Sequence, residues 1–298
     1  EGCYNLVVTT NDTAQWSTIV HLGQTFAVGN TPYAIAFDGT NMWVPGYGSN
    51  NVTELSARTG AVVGTFTVGN GPDGVFFDKT NIWVANTTDN TVTKLSATGA
   101  TLGVYPVGSQ PWGIASDGTN IWVTNRGSNT VTKLLASNGA TVATYAVGAG
   151  PYGIAFDGTN MWVANDYASS VTELVASTGA VVGTYSVGAS PVGVAFDGTN
   201  IWVADQTGAV GTVTKLAPTG AVIGTYPAGP APNDILFDGT NIWVTNNSSN
   251  TVTKLLASTG AIVGTYTIGT GPYGIAFDGT NIWVTVPGNN SVTELPAL

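Results

Sequence analysis

The chain has 298 residues, of which 43% are hydrophobic and only 8% charged, and its 17 acidic against 7 basic residues give a formal net charge of -10. So few scattered cations cannot form a basic surface, which excludes nucleic acid as a partner. No apolar run reaches the roughly 18 residues that a membrane-spanning helix needs. Forty glycines and 14 prolines in so apolar a chain favour short strands joined by turns.

The first 17 residues form a separate segment, because they match no part of the repeat that follows. Within it, residues 4–10 (YNLVVTT) are uncharged and rich in β-branched side chains, which predicts a strand. An uncharged strand is prone to aggregation unless it is paired. Two alternatives remain open: the segment stays with its own molecule, docked or unordered, or it adds to a sheet edge of a neighbouring molecule. For self-association we expect contacts from Cys3, Tyr4, Leu6, Val7 and Val8.

Two features of this segment bear on location. Cys3 is the only cysteine, so it can form a disulfide only with a second molecule. The sequence starts at Glu1 without an initiator methionine, which favours removal of a signal peptide. We therefore expect an extracellular or cell-surface protein.

A Trp-Val pair recurs about every 40 residues through the rest of the chain. Its tryptophans are Trp43, Trp83, Trp122, Trp162, Trp202, Trp243 and Trp283. Each copy predicts four short strands, which in the fourth copy cover residues 153–157, 161–165, 171–177 and 180–188. No segment has the apolar period of a helix.

The two ends of the repeat predict how the chain closes on itself. The seventh copy stops after its third strand, at residues 291–298, whereas residues 18–29 (TIVHLGQTFAVG) match the fourth strand of the other copies. An N-terminal strand that completes the last copy closes a ring and leaves no open edge at the seam. The sequence therefore predicts an all-β, seven-bladed β-propeller over residues 18–298, with four antiparallel strands per blade.

The runs at residues 271–285 (GPYGIAFDGTNIWVT), 121–125 and 242–246 resemble the YVTN-type repeats of bacterial and archaeal surface propellers. They are also similar to the virginiamycin B lyase propellers. The second resemblance implies an elimination site built on histidine with a divalent metal. His21 is the only histidine and lies in the closing strand, so this implication fails at its central residue, and we expect no metal, no cofactor and no catalytic residue.

The aspartates of the FDGTN-type turns are expected to be structural, with the carboxylate accepting backbone hydrogen bonds. They are Asp38, Asp78, Asp117, Asp157, Asp197, Asp238 and Asp278. The seven repeated tryptophans are expected to fill the space between blades. Four acids lie outside these turns and leave paired-carboxylate hydrolysis open: Asp73, Asp166, Asp205 and Asp234.

Positions that differ between copies are not required by blade geometry and are candidates for recognition. The residue after the proline that begins each blade varies, as does the loop between the second and third strands. Both are expected on one face, around the channel mouth, where mixed aromatic and polar groups suit a glycan or a peptide. The candidate site residues are Tyr33, Asp73, Trp112, Arg126, Tyr152, Asp166, Asn233 and Tyr273.

Three functions follow from these observations. The first is a non-catalytic, extracellular scaffold or self-assembling filament subunit, favoured by near-identical units with few charges. The alternative is a surface module that binds glycan or peptide through the channel-mouth loops, and the third is an enzyme like virginiamycin B lyase. Ordinary loop variation without a ligand is the competing interpretation of the candidate site.

Overall fold

The computed structural model describes residues 23–206 and 210–297. Residues 1–17, with the expected assembly residues Cys3, Tyr4, Leu6, Val7 and Val8, lie outside the described residues, as does His21. Over the described ranges, no helix has the length and apolar character needed to cross a bilayer.

The described chain forms seven sheets, each with four antiparallel strands. Blade 1 contains β2 (Ala36–Phe37), β3 (Asn41–Gly46), β4 (Asn51–Ser56) and β5 (Val62–Thr67). Blade 2 contains β6 (Pro72–Phe77), β7 (Asn81–Asn86), β8 (Thr91–Ser96) and β9 (Thr101–Pro106). Blade 3 contains β10 (Pro111–Ser116), β11 (Asn120–Asn125), β12 (Thr130–Leu135) and β13 (Thr141–Ala146). Blade 4 contains β14 (Pro151–Phe156), β15 (Asn160–Asn165), β16 (Ser170–Val175) and β17 (Val181–Ser186).

The remaining three blades have the same strand order. Blade 5 contains β18 (Pro191–Phe196), β19 (Ile201–Asp205), β20 (Thr212–Leu216) and β21 (Val222–Pro227). Blade 6 contains β22 (Pro232–Phe237), β23 (Asn241–Asn246), β24 (Thr251–Leu256) and β25 (Ile262–Thr267). Blade 7 contains β26 (Ile275–Phe277), β27 (Asn281–Val286), β28 (Ser291–Pro296) and β1 (Gln24–Ala27). Short 3-10 turns occur at Asp166–Ala168, Asn247–Ser249 and Pro287–Asn289.

The ring closes as the sequence predicts. The first strands of successive blades contact each other all the way round, including β2 with β26. β1 completes blade 7 by pairing antiparallel with β28, with Gln24 opposite Glu294 and Ala27 opposite Ser291. The seven-bladed propeller and its closure by an N-terminal strand are therefore confirmed.

The turn aspartates have the structural role that was predicted, and a second role that was not. In blade 1, Oδ1 of Asp38 accepts hydrogen bonds from the backbone N–H groups of Thr40 and Asn41, at 2.8 and 2.7 Å. Oδ2 accepts the indole N–H of Trp43 at 2.7 Å. All seven blades repeat the indole bond, at 2.7–2.9 Å. One carboxylate thus shapes the turn and satisfies the donor of a fully buried tryptophan.

The hydrophobic core lies between blades, as was expected for the seven tryptophans. Trp43 and Val52 of blade 1 pack in one cluster with Ile82, Val84 and Leu95 of blade 2. Each tryptophan side chain is fully buried. Because each blade covers its neighbour, the ring supplies the buried surface that a single four-stranded sheet lacks.

The third strand carries a contact between blades that the sequence analysis missed. In blades 2, 3, 5 and 6 this strand contains a buried lysine, whose Nζ donates a hydrogen bond to a backbone carbonyl of the next blade. In blades 1, 4 and 7 the equivalent residue is a glutamate, which accepts a hydrogen bond from an asparagine of its own blade. The lysines are Lys94, Lys133, Lys215 and Lys254, and the carbonyls belong to Ala136, Ala176, Ala257 and Ala297. Each ammonium also lies 4.6–5.0 Å from the ring centre of its blade's tryptophan.

Replacing Lys133 with methionine should destabilise the ring, because Nζ bonds the Ala176 carbonyl at 2.7 Å and the side chain is 4% exposed. We expect a loss of about 2–4 kcal/mol in the free energy of unfolding, measured by urea denaturation. Lys79→Met removes the same charge at an exposed position and should change stability little. Equal losses for the two variants would contradict the assigned contact.

Blade 5 departs from the others at the end of its second strand. Four blades have a buried asparagine there, whose amide donates to a threonine hydroxyl, as Asn165 does to Thr172 at 2.9 Å. In blade 5 the residue is Asp205, which is fully buried and accepts the hydroxyl of Thr214 at 2.6 Å. Burial raises the pKa of Asp205 to about 7, against hydrogen bonds from Thr214 and Gly188 that lower it.

Asp205→Asn should therefore stabilise the protein at pH 8 and change it little at pH 4.5. The folded-state pKa of this carboxyl lies above its unfolded value near 3.9, so its ionisation costs stability as the pH rises from about 4 through about 7. The gain at pH 8 should reach at most about 4 kcal/mol. Urea denaturation at both pH values measures it, with Asn165→Asp as the reciprocal variant, expected to be destabilised only at pH 8. A gain that does not depend on pH would contradict the explanation.

Candidate functional site

The channel mouth holds a cavity of about 150 Å³, lined by residues that begin the first strands of all seven blades. Six of the eight predicted site residues line it: Tyr33, Asp73, Trp112, Tyr152, Asn233 and Tyr273. The other two, Arg126 and Asp166, lie beside it in the loops between second and third strands. The structure therefore brings the whole predicted set together on one face.

The start of each first strand explains this arrangement. In blade 3, Pro111 pairs with Asn125 and Ile114 with Val123, so the intervening residues leave the ladder and the Trp112 side chain can enter the channel. The following residue is Gly113, and a Cβ there would lie 2.4 Å from the carbonyl oxygen of Tyr152 in the next blade. Glycine is required because adjacent blades approach so closely at the channel.

The aromatic side chains form one cluster across the channel. Ring centroids are 4.6 Å apart for Trp112 and Tyr152, 4.7 Å for Tyr33 and Tyr273, and 6.5 Å for Tyr33 and Trp112. The hydroxyls of Tyr152 and Tyr273 are hydrogen-bonded to each other. These rings were expected on a mixed aromatic and polar surface around the channel mouth; they lie there and cover one another, and Tyr152 is only 9% exposed.

Arg126 covers one side of this cluster. Its guanidinium forms a 2.9 Å ion pair with Asp166 of the next blade. The guanidinium carbon lies 5.8, 5.5 and 4.8 Å from the ring centres of Trp112, Tyr152 and Tyr167. Tyr167, which is 67% exposed, was not among the predicted site residues, although it is an aromatic in one of the variable loops.

Two carboxyl groups line the same cavity. Asp73 is 1% exposed, its Oδ2 has no hydrogen-bond partner, and burial raises its pKa well above the usual value although Arg126 acts to lower it. Asp234 stands where five blades have glycine, and its oxygens accept the backbone N–H groups of Ile235 and Ile275 at 2.9 and 3.1 Å. Burial raises the pKa of Asp234 to about 6.

The residues present do not fit the histidine and divalent metal that the lyase resemblance implied. Residues 23–206 and 210–297 contain no histidine, and they contain no group of three His, Cys, Asp or Glu side chains placed to hold a metal ion. Of the four acids that left hydrolysis open, Asp73 and Asp234 share the cavity, Asp166 pairs with Arg126, and Asp205 is buried within blade 5. That the protein is not an enzyme stays a prediction, as does a glycan or peptide ligand.

Two solved structures resemble this chain over nearly its whole length. The structure of streptogramin B lyase has a TM-score of 0.79 at 22% sequence identity, and the alignment covers 91% of this chain and 96% of that one. The hydrazine synthase of Kuenenia stuttgartiensis has a TM-score of 0.80 at 18% identity, with coverages of 95% and 99%. Family models and curated proteins give no match to the sequence. At these identities the likeness shows the propeller fold alone, which confirms the fold that the sequence resemblance implied.

The two classes of tryptophan should differ in their effect on stability. Trp162 is fully buried between blades, so Trp162→Ala should cost on the order of 3–5 kcal/mol. Trp112 is half-buried at the cavity, so Trp112→Ala should reduce the free energy of unfolding by less. Urea denaturation of both variants checks this order, and a larger loss for Trp112→Ala would show that the channel cluster, and not the space between blades, contributes more.

Proposed function

We propose that the protein is a non-catalytic subunit of an extracellular assembly, in which the N-terminal segment of one molecule adds as a strand to the outer edge of a blade in the next. The observation that carries this proposal is a set of exposed aliphatic side chains on uncharged sheet edges. The extracellular location stays a prediction from the sequence.

Six outer strands expose aliphatic side chains to solvent, and all of these residues except Val104 lie at the first two positions of their strand. The exposed fraction of each side chain is between 47% and 58%. The residues are Val62, Val63, Leu102, Val104, Val142, Val181, Val182, Val222, Ile223, Ile262 and Val263. Apolar groups repeated in this way around a molecule are typical of a surface that another chain covers.

A bulge in each outer strand exposes neighbouring side chains together. In blade 1, Leu55 pairs with Val62 and Glu54 with Gly64, so Val63 is an extra residue on β5. The remaining four residues, 64–67, pair regularly with β4 and leave their other edge unpaired. An edge of this length can accept a short donated strand.

These edges lack the usual protection against pairing. None of the outer strands β5, β9, β13, β17, β21 and β25 contains a charged residue. Proline ends β9 at Pro106 and β21 at Pro227, and the other four have none. Because charges and prolines are what normally block strand addition, blades 1, 3, 4 and 6 offer the best acceptor edges.

Residues 4–10 are the matching donor. They are uncharged and β-prone, and Val7 and Val8 supply aliphatic side chains like those exposed on the acceptor strands. A strand donated to a different surface of the next molecule is a heterologous contact, which grows into a filament unless the rotation closes a ring.

Lysines at Val7 and Val8 should abolish assembly, since they place two charges in the donor segment. The matched control carries lysines at Ala14 and Gln15, which add the same charge outside residues 4–10. Light scattering after size exclusion and negative-stain microscopy should show oligomers or filaments for the intact chain and the control, and monomers for V7K/V8K. The proposal would be contradicted by an intact protein that stays monomeric at high concentration, or by a V7K/V8K variant that assembles normally.

A synthetic peptide of residues 3–12 provides an independent readout. It should occupy the acceptor edges and shorten assemblies of the intact chain, whereas the same peptide with both valines changed to lysine should not. Equal effects of the two peptides would show that the edges do not select the donor segment.

A further inference from the structure

We propose that the cavity at the channel mouth binds a small primary amine, whose ammonium group is held by the Asp73 carboxylate and the surrounding tyrosine rings. This site is independent of the outer edges and of the N-terminal segment.

Asp73 is buried at the cavity with one carboxylate oxygen left without a donor. Its side chain is 1% exposed and lines the cavity, and Oδ2 has no hydrogen-bond partner. A buried carboxylate oxygen without a donor is costly, so such an oxygen facing a cavity favours a ligand that supplies an N–H or O–H group. An ammonium ion supplies both the donor and the opposite charge.

Tyrosine rings surround Asp73 in the cavity. The negative charge of Asp73 acts on Tyr33, Tyr152 and Tyr273, and together with burial, which is the largest cause for each, it raises the pKa of all three hydroxyls. All three tyrosines line the cavity. Tyrosine faces attract cations, most strongly where water is excluded. The same cluster already holds one cation, because the Arg126 guanidinium lies over Trp112 and Tyr152.

The charges around the cavity are mostly negative. Three carboxyl groups, Asp73, Asp166 and Asp234, lie in or beside the cavity, and Arg126 is the only cation beside them among the described residues. Arg126 is already paired with Asp166. The balance favours a cationic ligand over an anionic one, as does the formal charge of -10 on the whole chain. A metal ion is disfavoured because the described residues do not supply three suitable ligands.

The size of the cavity restricts the ligand to a small molecule. A volume of about 150 Å³ has room for roughly five waters at about 30 Å³ each, and thus for an amine of about five or six heavy atoms. The aliphatic walls, which include Ile114 and Val194, would contact its hydrocarbon part, and Asn233 and Asp234 are available to further polar groups.

Binding should depend on pH in a defined direction. Burial raises the pKa of Asp73, opposed by Arg126, so the free carboxyl holds a proton at pH values where an exposed aspartate has lost it. The groups that face it are Arg126, Tyr33, Tyr152 and Tyr273, and Asp234 lines the same cavity. Because an ammonium ion prefers the ionised carboxylate, amine binding releases this proton and tightens as the pH rises toward the pKa of Asp73.

Isothermal titration of the full chain with butylamine, and with 1-butanol as the neutral analogue of the same shape, tests the site. We expect saturable 1:1 binding of butylamine, none of 1-butanol, and a loss of at least about tenfold in affinity for Asp73→Asn. Asp89→Asn, at an exposed acid that does not line the cavity, should bind like the unmodified protein. Thermal unfolding of both variants establishes that they are folded.

Wild-type protein supplies a second readout that needs no variant. Titrations at one pH in buffers of different ionisation enthalpy should show proton release with butylamine. Methyl glucoside serves as the neutral polyhydroxyl probe. The proposal is overturned by absence of butylamine binding, by equal binding of 1-butanol or by unchanged affinity in Asp73→Asn. Binding of methyl glucoside without butylamine would overturn it in favour of a sugar site.

Discussion

The hydrogen bond between a turn carboxylate and a buried indole is the interaction on which the ring depends. Each blade must place a tryptophan against its neighbour, and each indole brings an N–H group that water can no longer reach. Oδ2 of the aspartate five residues earlier accepts that donor, while Oδ1 holds the turn that joins the first two strands. Although burial acts to raise it, the pKa of Asp117 is lowered by the bonds from Trp122 and Asn120, so the acceptor stays ionised.

The regular repeat explains why so much of the fold could be predicted from the sequence. Spacing alone revealed the repeat, and the match of residues 18–29 to the fourth strand revealed the seam. The repeat is a pattern of about 40 residues, and the seam follows from comparing the two ends of the chain with that pattern. The aspartate–indole bond joins Asp38 to Trp43, which are also close in sequence, but its existence depends on the side-chain rotamers and not on spacing. The turn was therefore predicted and the bond was not.

Interactions between blades were harder to predict because they join residues about 40 positions apart. Lys133 and Glu173 occupy equivalent positions, yet the lysine crosses to the next blade and the glutamate stays within its own. The sequence shows that the third strand carries either Lys or Glu at this position. Which of the two bonds to the next blade could be determined only from the geometry of adjacent sheets. Contacts between distant residues were also missed in the candidate site. The rings of Tyr152 and Tyr273 were correctly assigned to one face, but the hydrogen bond between their hydroxyls, which joins residues 121 positions apart, was not predicted.

The repeat itself suggests why the two proposed surfaces lie where they do. Seven blades share one geometry, so a surface used for assembly can be repeated around the ring, and exposed aliphatic side chains recur on six outer strands. A binding site for a small molecule has the opposite requirement, because one ligand needs different groups on each side. The channel is the one place where all seven blades meet within reach of one another, and there the equivalent positions hold an acid, an amide, an aliphatic and four aromatic side chains. The residues that are alike between blades therefore lie on the outer strands, and the residues that differ line the channel.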